Sequence, residues 1–238
     1  MRDPVREPSC PTDRDILNGY KGLRLARLEK PLAVFCADIG SVSAGKFGWA
    51  GGAINAGHYD LDSGSNISLL AEVVAGKLND SVPVALGFEC PLFVPISDDP
   101  ARLTSARKGE GRRPWSAGAG SGVLATGLTE TVWILRRIRQ RLTSPVSAYL
   151  EWPLFDHEGR GLFLWEAFVS DVGKGESTTH VGDAEIAVLK FIDSLPNPHE
   201  EDAIESDEVH SLLGAALLRT GWTANLSVLT KPCLVIKA

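Results

Sequence analysis

Long apolar runs are missing from this chain of 238 residues. None approaches the about 18 residues that a membrane-crossing helix requires, and the opening segment MRDPVREPSCPTDRD lacks the apolar stretch of a signal peptide. We therefore expect a soluble, cytoplasmic protein that has no membrane partner.

Cysteine is scarce, and its spacing is uninformative about metals. No C-x-x-C pair or zinc-finger pattern relates the four cysteines, Cys10, Cys36, Cys90 and Cys233. Two of them lie within or beside apolar segments of strand character, so we expect reduced, buried thiols, as in a cytoplasmic protein.

Positive charge is also in short supply. The 24 Lys and Arg residues are outnumbered by 30 Asp and Glu residues, which gives a formal net charge of -6. Such a chain does not coat nucleic acid through its overall charge. A local basic groove on an acidic body is still compatible with this composition.

Two familiar signatures are absent. The glycine-rich segment at 116–122 is not followed by Lys-Ser or Lys-Thr and does not match the dinucleotide fingerprint, although its amides could bind an anion at the start of a helix. No serine or cysteine lies in a nucleophile elbow.

The residues that are present predict one domain with an N-terminal arm. Residues 1–30 are rich in charge and contain Pro4, Pro8 and Pro11, which favours an extended arm. From residue 31 to residue 238, apolar segments recur, and 44% hydrophobic residues suffice for one substantial core.

The order of these segments predicts an α/β fold. Three short strands separated by glycine or serine turns come first, and helices then alternate with further apolar strands. The segments are LAVFCADIG, GKFGWAGG and INAGHYDLD, then the helix NISLLAEVVAGKLND, the strand VPVALGFE, the helix SGVLATGLTETVWILRRIRQRL, the strands SAYLEW and LFLWEAFVSD, and the helix DAEIAVLKFIDSL. This order indicates a mixed sheet with helices on its faces.

Three acidic residues stand at notable places. Asp38 and Glu89 each end an apolar strand, and Asp207 opens a predicted helix that also carries His210 three residues later. Carboxylates brought together from distant segments repel each other unless a cation or a proton neutralises them. We therefore expect a divalent metal site, for which the alternative is that the acids cap turns and helix ends or pair with arginines.

With these motifs, Asp38-Ile39-Gly40, Glu89 and Asp207-Glu208-Val209-His210, the chain resembles the ribonuclease-H-like superfamily over residues 32–238. Within it, the chain is most similar to Holliday-junction resolvases and an uncharacterised resolvase-like family. The resemblance implies three antiparallel strands followed by parallel strands, with the first and fourth strands adjacent and helices on both faces.

The resemblance also implies a chemistry. Asp38, Glu89, Asp207 and His210 would hold two Mg²⁺ or Mn²⁺ ions and be the catalytic residues, with Asp38 bridging the ions. Where most relatives have a second carboxylate, this chain has His210. As a ligand, its imidazole would favour Mn²⁺ over Mg²⁺; the alternative is that it serves as a general base. Glu166, in a predicted strand, is a reserve ligand.

A basic loop follows Glu89 and supplies the candidate nucleic-acid contacts. Arg107, Lys108, Arg112 and Arg113 fit phosphate contacts, and Trp115 could stack on a base. The alternative is a solvated loop whose basic residues are balanced by acids, with Trp115 folded into the core.

The leading hypothesis is a metal-dependent phosphodiesterase or nuclease that acts on structured or branched nucleic acid. Two alternatives stay open: a single actin-like domain that binds a nucleotide, and a catalytically silent module that uses the crevice for binding or assembly. We expect nucleic acid as the partner, and leave monomer and homodimer as alternatives.

Overall fold

The computed structural model describes residues 31–55, 58–111, 114–169, 179–206 and 208–238, so the predicted N-terminal arm lies outside it. The strands are β1 Leu32–Asp38, β2 Gly48–Asn55, β3 His58–Tyr59, β4 Asp62–Gly64, β5 Val84–Glu89, β6 Phe93–Pro95, β7 Ala148–Tyr149, β8 Leu162–Phe168, β9 Val209–Ser211 and β10 Val235–Lys237. The α-helices are α1 Ile67–Asn79, α2 Gly118–Arg141, α3 Trp152–Glu158, α4 His180–Asp193 and α5 Leu212–Thr220.

These elements form an α/β domain around a mixed sheet. The strand order is β3–β2–β1–β5–β8–β10, with β4 pairing to β2 and β7 pairing to β8. The pairs among β1, β2, β3 and β4 are antiparallel, whereas β5 pairs in parallel with β1 and β8, and β10 pairs in parallel with β8. The predicted mixture of antiparallel and parallel strands is confirmed.

Both faces of the central strands are covered. All seven residues of β1 are buried, as expected for a strand with helices on each side. Alternate residues of β1 enter different cores: Phe35 packs with residues of α1, α2 and α5, while Cys36 packs with residues of α3 and α4. Cys36, Cys90 and Cys233 are buried free thiols, and none of the described helices has the length and apolarity to cross a membrane.

The helix predicted to open at Asp207 begins later, which corrects the prediction. Val209, His210 and Ser211 form β9, which pairs antiparallel with β6. The helix α5 starts at Leu212, because the Ser211 side chain accepts a hydrogen bond from Gly214 N (3.0 Å) and caps it. Val209 is buried in the hydrophobic core as a residue of this strand, not as part of a helical face.

The glycine-rich segment likewise differs from the prediction. Residues 118–122 form the first turns of α2 instead of a loop before it. A Cβ on Gly120 would lie 2.4 Å from the carbonyl oxygen of Pro114, so the small residue permits close packing of the helix against the preceding loop.

Candidate metal centre

Three carboxylates meet at one edge of the sheet. Each of Asp38, Glu89 and Asp183 offers an oxygen, and these atoms lie within 4.8 Å of one another. Asp38 and Asp183 are buried and Glu89 is half-buried. We call these three residues the carboxylate cluster.

Strand register places the first two members. Asp38 is the last residue of β1 and Glu89 the last residue of β5, and the two are directly paired in the parallel ladder. The carboxyl ends of parallel strands meet at the same edge, so both side chains lie there. The prediction that these strands are neighbours is confirmed.

Asp183 comes from the first turn of α4, where an acidic side chain interacts favourably with the helix dipole. Thr179 caps this helix by accepting a hydrogen bond from Gly182 N (3.0 Å). The helix approaches the sheet closely at Gly48 of β2, where an added Cβ would lie 2.4 Å from the carbonyl carbon of His180. Gly48 thus lets α4 bring Asp183 to the strand ends.

His180 also reaches the cluster. Its Nδ1 lies 2.5 Å from Oδ2 of Asp38, and its side chain is 43% exposed. A proton on Nδ1 is donated to the carboxylate, which fixes the orientation of Asp38. His180 therefore acts as a positioning residue for Asp38.

A fourth carboxyl group, from Glu130 of α2, lies nearby. Burial raises the pKa of Glu130 to about 7, with a further increase from Asp38, although Gly40 N–H donates a hydrogen bond that lowers it. Its Oε2 is buried and has no hydrogen-bond partner within the described ranges. Near neutral pH, Glu130 is thus able both to hold and to release a proton.

The cluster has the composition of a hard-cation site. Carboxylate oxygens are the ligands that Mg²⁺ and Mn²⁺ prefer, and a divalent cation would relieve the repulsion among three converging acids. The donor set fits such an ion but does not distinguish Mg²⁺ from Mn²⁺.

The other two ligands predicted from the sequence, Asp207 and His210, are not among the residues of this cluster. Asp207 is outside the described residues. His210 is exposed on β9, where it pairs with Val94 of β6. Within the described residues, the grouping able to hold a metal contains Asp183 and does not contain His210.

Arg107 has a structural role instead of the predicted phosphate contact. Its buried guanidinium donates to both carboxylate oxygens of Glu166, with Nη1···Oε2 at 2.8 Å and Nη2···Oε1 at 2.5 Å, and its Nε donates to Oε1 of Glu110 (2.9 Å). Burial raises the pKa of Glu166, and the Arg107 guanidinium opposes that rise. Glu166, proposed as a reserve metal ligand, is therefore the counter-ion of Arg107.

The rest of the basic loop is partly accounted for. Lys108 is exposed and ion-paired with Glu205, while Arg112 and Arg113 lie outside the described residues. Trp115 is half-buried: its indole Nε1 donates to Ser105 O (2.9 Å) and its backbone N–H donates to Glu110 (3.1 Å). For Arg107 and Lys108, these ion pairs agree with the alternative prediction, in which acids balance the basic residues of the loop.

A cleft opens beside the carboxylate cluster and has a volume of about 210 Å³. Its lining includes the cluster, His180, the ion-paired side chains of the Arg107 network and a group of apolar residues, among them Trp115, Val123, Phe168 and Val169.

Sequence reasoning missed Asp183 and His180. The predicted helix DAEIAVLKFIDSL did begin at Asp183, and an acid in a first helical turn is a recognisable feature. That feature alone does not reveal a ligand, since such acids are common helix-terminal residues. No protein-family model, curated protein or solved structure matches the chain.

Proposed function

We propose that this protein is a divalent-metal-dependent phosphodiesterase, a nuclease of the ribonuclease-H-like class that cleaves structured or branched nucleic acid. The observation that carries the proposal is the convergence of Asp38, Glu89 and Asp183 within 4.8 Å at the carboxyl edge of adjacent parallel strands. Three acids held so close together, two of them buried, favour an ion between them.

The strand order supports the ribonuclease-H-like class. The four antiparallel strands β1–β4 come first in the chain, and β1 then pairs in parallel with β5, which follows helix α1. The strand β5 thus takes the position beside the first strand that the sequence resemblance assigns to a fourth strand. In the proposal, Asp183 of α4 supplies the helical acid that we had expected from Asp207.

The residues of the site divide into ligands and supporting groups. Asp38, Glu89 and Asp183 would hold Mg²⁺ or Mn²⁺, which when bound activates water and stabilises charge on a phosphodiester. His180 keeps the Asp38 carboxylate oriented through the 2.5 Å contact. The charge of Asp38 contributes to the raised pKa of Glu130, and Glu130 is able to exchange a proton near pH 7.

The test is cleavage of labelled nucleic acid in Mn²⁺ or Mg²⁺. Substrates are a four-way junction, a flap, a duplex and a single strand, each as DNA and as RNA. We expect wild type to cut the branched substrates, Asp38→Asn and Asp183→Asn to lose activity at least about 100-fold, and Asp98→Asn, an exposed acid outside the cleft, to match wild type.

Two outcomes would contradict the proposal. One is the absence of metal-dependent cleavage of every substrate. The other is equal activity in wild type and in Asp183→Asn. Binding of ATP without binding of any nucleic acid would instead favour the actin-like alternative, and metal-free nucleic-acid binding without cleavage would favour a silent module. The choice between a monomer and a homodimer, left open above, is tested by light scattering.

A further inference from the structure

The cleft beside the carboxylate cluster has a mixed lining. The three acids and His180 contribute its ionisable groups, together with the Arg107 network. Apart from the Arg107 network, the other lining side chains are apolar, including Val123 of α2 and Phe168 and Val169 at the end of β8. A ligand that binds across this cleft would therefore combine an anionic group, which binds a metal ion held by the acids, with an apolar group next to it.

Aromatic rings supply part of the apolar lining. Trp115 and Phe168 both line the cleft. The indole of Trp115 is held by the hydrogen bond from its Nε1 to Ser105 O. The Phe168 ring lies 5.3 Å from the ammonium nitrogen of Lys237. Lys237 covers one face of the Phe168 ring, so Trp115 is the aromatic side chain that we assign to stacking with a planar ligand.

The wall that carries Trp115 is fixed by the buried ion network. Glu110 accepts hydrogen bonds from the backbone N–H groups of Arg107 (2.8 Å) and Trp115 (3.1 Å), and Arg107 is joined in turn to Glu166 of β8. Phe168 belongs to the same strand, two residues after Glu166. The two aromatic side chains are thus tied to one rigid framework, which organises the cleft before any ligand binds.

The size of the cleft limits the planar group. A volume of about 210 Å³ is below the roughly 300–1,000 Å³ of pockets that enclose drug-sized ligands. There is room for a single base-sized ring system, and none for a stacked pair of base pairs. A base can enter such a space only after leaving its stack.

We propose that the apolar lining of the cleft binds one unstacked nucleobase, that of the nucleotide next to the phosphate that a metal ion would hold at the carboxylate cluster. This inference rests on the proposed nuclease function and specifies its substrate: a strand with an unpaired nucleotide at the cleavage site. Branched and bulged nucleic acids offer such nucleotides at the smallest unstacking cost.

The test compares four substrates that share one sequence: a full duplex, the same duplex with a single unpaired adenosine, that duplex with an abasic residue in place of the adenosine, and the corresponding single strand. Cleavage is measured in Mn²⁺ with wild-type protein. We expect cleavage at the unpaired adenosine, and rates at least about 10-fold lower for the abasic and fully paired substrates, because stacking contributes on this scale.

Protein variants provide a second comparison. Trp115→Leu should lower cleavage at the unpaired adenosine about 10-fold without changing the slow rate on the abasic substrate, and Trp115→Phe should restore part of the loss. Trp133→Leu removes a half-buried tryptophan outside the cleft and is the matched control. If Trp115→Leu lowers the melting temperature, the comparison of adenosine and abasic substrates with wild-type protein decides whether the cleft binds a base.

A binding measurement separates this inference from the nuclease proposal. In Asp183→Asn with Mg²⁺, 2-aminopurine at the unpaired position should be quenched on binding, and the quenching should weaken with Trp115→Leu added. Equal cleavage of adenosine, abasic and fully paired substrates would overturn the base pocket and leave the nuclease standing. The absence of cleavage of all four substrates would overturn both.

Discussion

Replacing Gly48 by alanine should damage the carboxylate cluster without touching any of its members. An alanine Cβ would lie 2.4 Å from the carbonyl carbon of His180 and 2.5 Å from the backbone nitrogen of Val181. Both are backbone atoms of α4, so no flexible side chain can move aside. Restoring an ordinary contact of about 3.4 Å requires α4 and β2 to separate by about 1 Å.

Two measurable effects follow from that separation. Overpacking of this kind costs typically about 1–3 kcal/mol, so the free energy of unfolding in urea should fall by that amount. Metal–oxygen distances tolerate only about 0.2 Å, so a shift of Asp183 by a large part of an ångström should weaken Mn²⁺ binding at least about 10-fold.

Gly76→Ala is the matched control for this change. Gly76 is exposed in α1, and an added Cβ there would have nothing within 4 Å. Because alanine is the better helix former, this variant should be more stable by up to about 1 kcal/mol and should bind Mn²⁺ like wild type. If Gly48→Ala is as stable as wild type and binds Mn²⁺ equally well, the close packing of α4 does not position the site.

Two further variants test groups near the cleft. Because the pKa of Glu130 is raised from 4.5 to about 7 in the folded state, the protonated form favours folding; this contribution is complete below pH 4.5 and is lost as the pH rises through 7. Glu130→Gln should therefore be more stable than wild type at pH 8, and the difference should shrink at pH 5; a constant difference in urea unfolding would contradict the raised pKa. Glu166→Gln leaves the buried Arg107 guanidinium with a weakened partner, and should lower the free energy of unfolding by about 3 kcal/mol at pH 7. The exposed Glu158→Gln should change it by less than about 0.5 kcal/mol, and a similarly small effect of Glu166→Gln would show that the pair is dispensable.

The sequence predicted the two members of the cluster that depend on strands. The apolar runs ending in Asp38 and Glu89 are readable as buried strands, and parallel pairing then brings their ends together. Asp183 could not be placed in this way, because its position depends on how α4 packs across the sheet at Gly48. Periodicity shows that a helix exists, but not where its first turn lies.

Charge in the sequence was similarly ambiguous. Arg107 belongs to a basic loop, yet its partner Glu166 is 59 residues away, and no local pattern reveals that pairing.

The start of α5 was predicted too early for a related reason. Val209 fits the helical periodicity, but the segment forms β9 through its pairing with β6, a contact distant in the chain.

Mn²⁺ titration of wild type, Asp38→Asn, Glu89→Gln and Asp183→Asn, followed by calorimetry, tests the metal site most directly. Asp98→Asn is the exposed control, and Asp207→Asn tests the acid predicted from the sequence. We expect wild type and Asp98→Asn to bind alike, each cluster variant to bind at least about 10-fold more weakly, and saturating metal, at 100 times its Kd, to stabilise wild type by about 2.7 kcal/mol. The absence of Mn²⁺ and Mg²⁺ binding at millimolar concentration, or binding that survives Asp183→Asn and is lost in Asp207→Asn, would contradict the metal centre.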